Sequence, residues 1–273
     1  MYPLLFSVGS RPVSSYTVVL GGALLTGLSW IAWRERRQRD GVFDLALVAL
    51  LVSVICARLV HVLANRAYYV ERPVEIVPPL DGGLSFHGGL VAGLATVTLL
   101  SLVGMPRRPG SPRRLLIVAG ALVVPLTIGL LGGWLACLLR GCAYGRAIPP
   151  PQRLYTPDWP DMFGVHAFRL PSQALGIALA VALLLTAGLW TRRPGLFLIV
   201  FGIGDWLIAW TRGDLTLTWG PLLAVQWVDL AIIFAGIALE RVSRTHAPLR
   251  SSAQIPSGTD DASSAHGSQM ESS

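Results

Sequence analysis

Seven long runs with little or no charge, residues 16–33, 43–64, 86–104, 115–139, 170–190, 195–211 and 221–239, dominate this chain. Each is close to the roughly 20 apolar residues a helix needs to cross hydrocarbon. Lipid offers no partner to backbone N–H and C=O groups, so a run that enters it must close its hydrogen bonds within itself. The runs therefore predict an all-α integral membrane protein with seven transmembrane helices. The chain is 14% charged, against about a quarter for soluble domains, which leaves too little polar surface to face water all round. The first run has no basic segment before it and no clear small-residue cleavage site after it, so it reads as a span and not as a cleaved signal.

Orientation follows from arginine. All 22 basic residues are Arg. They crowd the connections after the first span (Arg34, Arg36, Arg37, Arg39), the third (Arg107, Arg108, Arg113, Arg114) and the fifth (Arg192, Arg193), and the segment after the seventh (Arg241, Arg244). Short connections rich in Arg stay in the cytoplasm. The N-terminus then lies outside and the C-terminus inside, in a membrane that the chain crosses several times. Residues 1–245 form one membrane domain. Residues 246–273, rich in Ser, Gly, Asp and Ala without apolar periodicity, read as a disordered cytoplasmic tail. The net charge of +7 belongs to this topology signal and to anionic headgroups, not to nucleic acid.

No repeat of 20–50 residues stands out. Two outward segments, 65–85 and 140–170, are too long and too rich in proline for simple turns, and read as periplasmic arms or lids. Cys56, Cys137 and Cys142 show no zinc-ligand spacing. Cys137 and Cys142 fit poorly on one helix face, and buried neutral thiols are expected. No metal and no cofactor are expected.

Polar residues inside or beside the apolar runs carry the chemistry. His87 stands in Asp81-Gly82-Gly83-Leu84-Ser85-Phe86-His87-Gly88-Gly89, at the mouth of an uncharged run. A charged, unpaired imidazole there is costly, and the flanking glycines admit a close backbone or ligand. Arg58 lies deep in the second run with His61 one turn on. A buried guanidinium needs an anion, either a lipid phosphate or Asp81. Arg140 and Arg146 flank the outward exit of the fourth span, against the positive-inside trend, which points to an anionic ligand. Asp205 sits within the sixth run, with Arg212 two helical turns on. Gln226 and Asp229 lie within the seventh, Gln173 opens the fifth and Tyr16 opens the first. One imidazole and several arginines near the outer end of an apolar bundle suit a phospholipid whose phosphate is held while a neighbouring bond breaks.

These residues resemble the phosphatidylglycerol–prolipoprotein diacylglyceryl transferases. The segment 81–90 looks like that family's signature loop. Leu5 to Gly9 with Tyr16, Ala57-Arg58-Leu59 with His61, Gly141 to Arg146, Pro171-Ser172-Gln173, and Gly195 to Leu198 with Gly202 resemble its other motifs in order and spacing. The resemblance implies transfer of a diacylglyceryl group from phosphatidylglycerol, or a similar anionic phospholipid, to the lipobox cysteine thiol of a prolipoprotein, with glycerol phosphate leaving. It implies catalytic roles for His87 and Arg140. It implies substrate-binding roles for Tyr16, Arg58, Asp81, Ser85, Gly88, Gly145, Arg146, Gln173 and Arg212. His87 would serve as the thiol's base or hold the headgroup.

The chain also departs from the family's pattern. Trp134, Cys137 and Cys142 stand where the fourth-span signature has Arg, Asn and Glu. Phe201, Asp205 and Ala209 stand where the sixth span has Tyr, Arg and Glu. Leu170, Leu175 and Gly176 stand where the fifth has His, Tyr and Glu. Asp205 reverses the sign of a charge at a site where one guanidinium–phosphate contact is worth about 2–4 kcal/mol. Arg140, on the exit side of the missing Arg, would replace it. The competing class is a non-catalytic lipid-binding or accessory membrane protein that kept the fold. A small-solute transporter is disfavoured by the absence of inverted repeats or paired broken helices.

Overall fold

A computed structural model describes residues 4–8, 11–38, 40–77, 83–106, 108–149, 158–214 and 217–246. Helices make up most of it. They are α1 Ser15–Gln38, α2 Val42–Ala64, α3 Arg66–Glu71, α4 Phe86–Val103, α5 Pro112–Arg140, α6 Ser172–Leu185, α7 Ala187–Trp190, α8 Pro194–Ala209 and α9 Ala224–His246. Short antiparallel hairpins decorate the ends: β1 Leu4–Val8 with β2 Arg11–Ser14, β3 Gly104–Met105 with β4 Arg108–Pro109, β5 Asp158–Pro160 with β6 His166–Phe168, and β7 Thr218–Trp219 with β8 Leu222–Leu223.

Every apolar run contains helix over most of its length, but not every helix has the length and apolarity of a span. Among the described residues four do: α1, α2, α4 and α5. The fifth run breaks at Thr186 into α6 and the single turn α7; the Thr186 hydroxyl donates back to Ala182 O at 2.6 Å, at the break. The sixth stops at Ala209, short of its expected end at 211. The seventh carries Gln226, Asp229, Glu240, Arg241 and Arg244 within helix, which lowers its apolarity. The expectation for the tail falls on residues that lie, from 247 onward, outside the described ones, as do 78–82 and 150–157 of the two arms.

Local chemistry sets the helix ends. Ser85 caps α4, its hydroxyl accepting from Gly88 N at 3.3 Å, and Ser111 caps α5, accepting from Arg114 N at 3.1 Å with Pro112 in the first turn. These serve amide donors left over at a helix start. Helix α5 ends on Gly141 in the left-handed region, φ 83°, a conformation glycine adopts without a Cβ penalty. The tight α1–α2 turn is held by Glu35, whose carboxylate accepts from Gly41 N at 2.6 Å and Val42 N at 3.0 Å.

The apolar surface is turned outward. Leu25, Leu51, Ile55, Leu63, Leu99, Leu185 and Phe234 are exposed, as lipid-facing residues would be. Polar Ser15, Ser101, Thr127, Ser172, Gln173, Asp205, Gln226 and Asp229 are buried with Val42, Leu45, Val118, Phe197 and Phe201. In lipid, helices associate through close packing and interhelical hydrogen bonds, and small residues let the backbones meet. The α2–α4 seam shows this. A Cβ on Gly89 would lie 3.1 Å from Ser53 O and 3.2 Å from Ala57 Cβ, and one on Gly88 2.8 Å from Val60. The basic segments gather at one end: Arg108 lies against Gly41, Thr191 O against Gly120, and Glu240 against Gly195.

Candidate functional site

At the other end, the start of α4 faces the end of α8 and the first turns of α9. Phe86 is exposed while His87, next along the helix, turns inward and is only 9% exposed. Its Nε2 lies 3.1 Å from Asp205 Oδ2 and 3.2 Å from Asp229 Oδ1. Asp205 is 6% exposed and Asp229 fully buried. Three helices distant in sequence thus place one imidazole nitrogen between two carboxylates. The sequence leads to the expectation of guanidinium groups next to this ring; its hydrogen-bonding neighbours are acidic instead. The reason is where α8 ends. Arg212 lies past Ala209, off the helix, so it does not share a helical face with Asp205 as expected. It forks onto Asp214 instead, Nε to Oδ1 at 2.9 Å and Nη2 to Oδ2 at 2.5 Å. Asp205 hydrogen-bonds to His87, with Arg212 acting on it across space.

Arg140 ends α5 and sits over the Tyr16 ring, 5.8 Å from its centroid. Its Nη1 is buried and meets no acceptor among the described residues. A buried guanidinium donor without an acceptor is expensive unless an anion completes it. Arg58 donates to Gly83 O at 3.0 Å, to Ile76 O at 2.9 Å and to Glu75 O. It thereby ties the first arm, through α3 and the 3-10 turn Pro73–Ile76, to α2. Asp81, one of the two partners expected for it beside a lipid phosphate, lies outside the described residues. Ser85 and Gly88 serve the helix start and the α2–α4 seam as described above.

Tyr144, Gly145 and Arg146 thread between two segments. Arg146 N donates to Thr211 O at 2.8 Å, Gly213 N to Tyr144 O at 2.8 Å, and Leu170 N to Arg146 O at 3.0 Å. A Cβ on Gly145 would lie 1.9 Å from Leu170 O, so the position needs glycine for backbone approach. The Arg146 guanidinium donates to Trp210 O and the residue is exposed. Gln173 Nε2 donates to Cys142 O at 2.8 Å. Arg169 stacks on Tyr144 at 4.4 Å and pairs with Asp161 at 2.7 Å. Burial, and then Asp161, push the Tyr144 hydroxyl above its ordinary pKa, with Arg169 opposing.

Two departures from the family's pattern resolve into contacts. Cys137 and Cys142 form a disulfide, in place of the expected neutral thiols. They do not share a helix face, but Gly141 turns the chain back after Arg140, so that Cys142 N donates to Cys137 O at 3.0 Å and the Cα atoms stand 4.7 Å apart. Trp134 lies on Gly176, where a Cβ would be 2.1 Å from the indole. An aromatic face against a glycine thus fills positions where the family's motifs carry Arg and Glu.

The prolipoprotein diacylglyceryl transferase family model matches residues 3–241. A phosphatidylglycerol–prolipoprotein diacylglyceryl transferase of Bacillus velezensis is 31% identical over 250 residues, covering 87% of this chain and 90% of that protein. Proteins of the same name from Bacillus cytotoxicus, 29% identical over 250 residues, and Geobacillus kaustophilus, 29% over 254, cover the same shares. This chain belongs to the prolipoprotein diacylglyceryl transferase family.

Proposed function

We propose that the chain transfers a diacylglyceryl group from phosphatidylglycerol, or a similar anionic phospholipid, to the lipobox cysteine thiol of a prolipoprotein. It does so at the outer face of a bacterial plasma membrane, with seven spans, N-terminus out and C-terminus in. The four long apolar helices support the membrane part of this reading; α6 with α7, α8 and α9 supply the other three crossings.

The observation that carries the site is the buried Arg140 Nη1 without an acceptor, above Tyr16. A phospholipid phosphate supplies the missing oxygen, and a charge-assisted bond in a dry site is strong. Arg58, Arg146 and Arg212 stand as further cations for the headgroup, and Gln173, Gly145 and Tyr16 shape the floor. The His87–Asp205–Asp229 cluster activates the thiol. The thiol is mostly protonated near neutral pH and reacts as thiolate. Its proton passes to the cluster, sulfur bonds to the glyceryl carbon, the carbon–oxygen bond to phosphate breaks, and glycerol phosphate leaves with the bonding pair.

In cells depleted of their own transferase, this chain is expected to restore lipid modification of a lipobox reporter. His87→Asn and Arg140→Ala are each expected to abolish it. Unchanged complementation by either variant overturns that residue's role. The disulfide and the Trp134–Gly176 contact, where the family carries polar groups, favour one competing reading: a lipid-binding protein that kept the fold. Wild-type chain that binds phosphatidylglycerol vesicles but fails to restore modification would establish it.

A further inference from the structure

We infer that His87, Asp205 and Asp229 form a binding site for a divalent metal cation. The donor atoms converge: Nε2 of His87 is 3.1 Å from Asp205 Oδ2 and 3.2 Å from Asp229 Oδ1, and one donor atom from each residue lies within 4.8 Å of the others. Ligands about 2.0–2.1 Å from a tetrahedral ion sit about 3.3 Å from one another. Both imidazole–carboxylate separations are near that value.

A second observation points the same way. Asp229 is fully buried, and its Oδ2 meets no donor among the described residues. One ring nitrogen carries at most one proton, so His87 Nε2 satisfies one carboxylate at a time. Rotation of the Asp229 carboxylate offers the second oxygen to an ion at the centre.

Charge leads to the same conclusion. Arg212, which pairs with Asp214 and also acts across space on Asp205 and Asp229, and Asp214 contribute one charge of each sign. That leaves two buried carboxylates and an imidazole, which are neutral together either with two added protons or with one divalent cation. Buried carboxylates without such compensation are strongly disfavoured. One imidazole with two carboxylates suits zinc or manganese better than the all-oxygen sets that magnesium and calcium take. Three protein ligands leave a position open for a fourth. The inference deepens the transferase reading and rests on it for one point only: a thiol bound at the open position would be held as thiolate, its proton passing to a carboxylate oxygen of Asp205 or Asp229 that the ion leaves free.

The test uses full-length protein in detergent micelles, without a polyhistidine tag, stripped by chelator and dialysed. Zn2+ alone, then Mn2+ alone, are titrated while bound metal and melting temperature are measured. About one equivalent per chain is expected, with a raised melting temperature. Asp205→Asn and Asp229→Asn are each expected to weaken binding by at least about 100-fold, beyond the ~10–100-fold typical of losing an outer partner. If Asp229→Asn fails to fold, Asp205→Asn, at the less buried carboxylate, decides. Binding well below one equivalent, or binding unchanged in Asp205→Asn, overturns the site. Transfer to a lipobox peptide is scored separately. Metal bound without transfer defeats the transferase reading and leaves the site, whereas transfer by protein that binds no metal does the reverse.

Discussion

Helix α4 shows two faces that solve the membrane problem in opposite ways. Toward α2 it presents Gly88, Gly89 and Gly93, and the helices meet with little but backbone and methyl groups between them. Toward α8 and α9 it presents His87, and the helices meet through an imidazole between two buried carboxylates. The first face gains from close contact between small residues. The second carries a standing electrostatic cost, because the two acids must be neutralised in a dry interior. A junction that costs stability suits the role proposed for it, and the glycine seam beside it packs the turn of α4 that carries His87 against α2.

The contrast predicts a ranking of substitutions, read from thermal unfolding in micelles with a thiol-reactive dye on Cys56, the free cysteine of α2. His87→Ala has the largest effect. It removes the partner common to both carboxylates and is expected to cost about 3–5 kcal/mol, as when a buried ion pair loses one member. Asp229→Ala in that background should recover part of the loss, since one uncompensated acid goes with it. Additive losses would mean that the two residues do not act through each other. Gly89→Leu comes next, at about 1–3 kcal/mol for an overfilled interface, because Ser53 O and the Ala57 methyl cannot rotate away. Opening the disulfide by changing both Cys137 and Cys142 to Ser, so that Cys56 stays the thiol the dye reads, follows at no more than about 2 kcal/mol, since the bond closes a short loop that Gly141 already turns.

The same contrast explains what could be read in advance. The apolar runs and the glycines at 88 and 89 are local patterns within one stretch of sequence; helix forms along each run, four of them long enough to span, and the two glycines meet α2 closely. The junction is not local. His87 is 118 residues from Asp205 and 142 from Asp229. Each acid stood out as polar within an apolar run, but nothing nearby named its partner. Helical spacing pointed Asp205 at Arg212, and only the end of α8 at Ala209 breaks that pairing. The disulfide was hidden for a related reason. A separation of five residues is wrong for a continuous helix and becomes right when the helix stops between the two cysteines. The sequence marks Arg140 as a cation on the outward side. Its burial over Tyr16 with an unpaired Nη1 depends on α1 packing against α5, which neither segment shows alone.

The smallest effect belongs to Gly93→Ala, and it tests whether the seam is equally tight along its length. A Cβ there would lie 2.5 Å from Ser53 Oγ, with Ser53 Cβ the next atom at 3.8 Å. Nothing rigid blocks it, so the serine hydroxyl must turn to another rotamer, at a cost of order 1 kcal/mol. Alanine in place of glycine returns about as much in helix propensity, and the net change is expected to be near zero. Removing the hydroxyl with Ser53→Ala then leaves only the gain, so Gly93→Ala in that background should stabilise by up to about 1 kcal/mol. A loss above about 2 kcal/mol in both backgrounds would show that backbone, not a side chain, limits approach at Gly93. The seam would then be rigid over its whole length and not only at its outer end, beside His87.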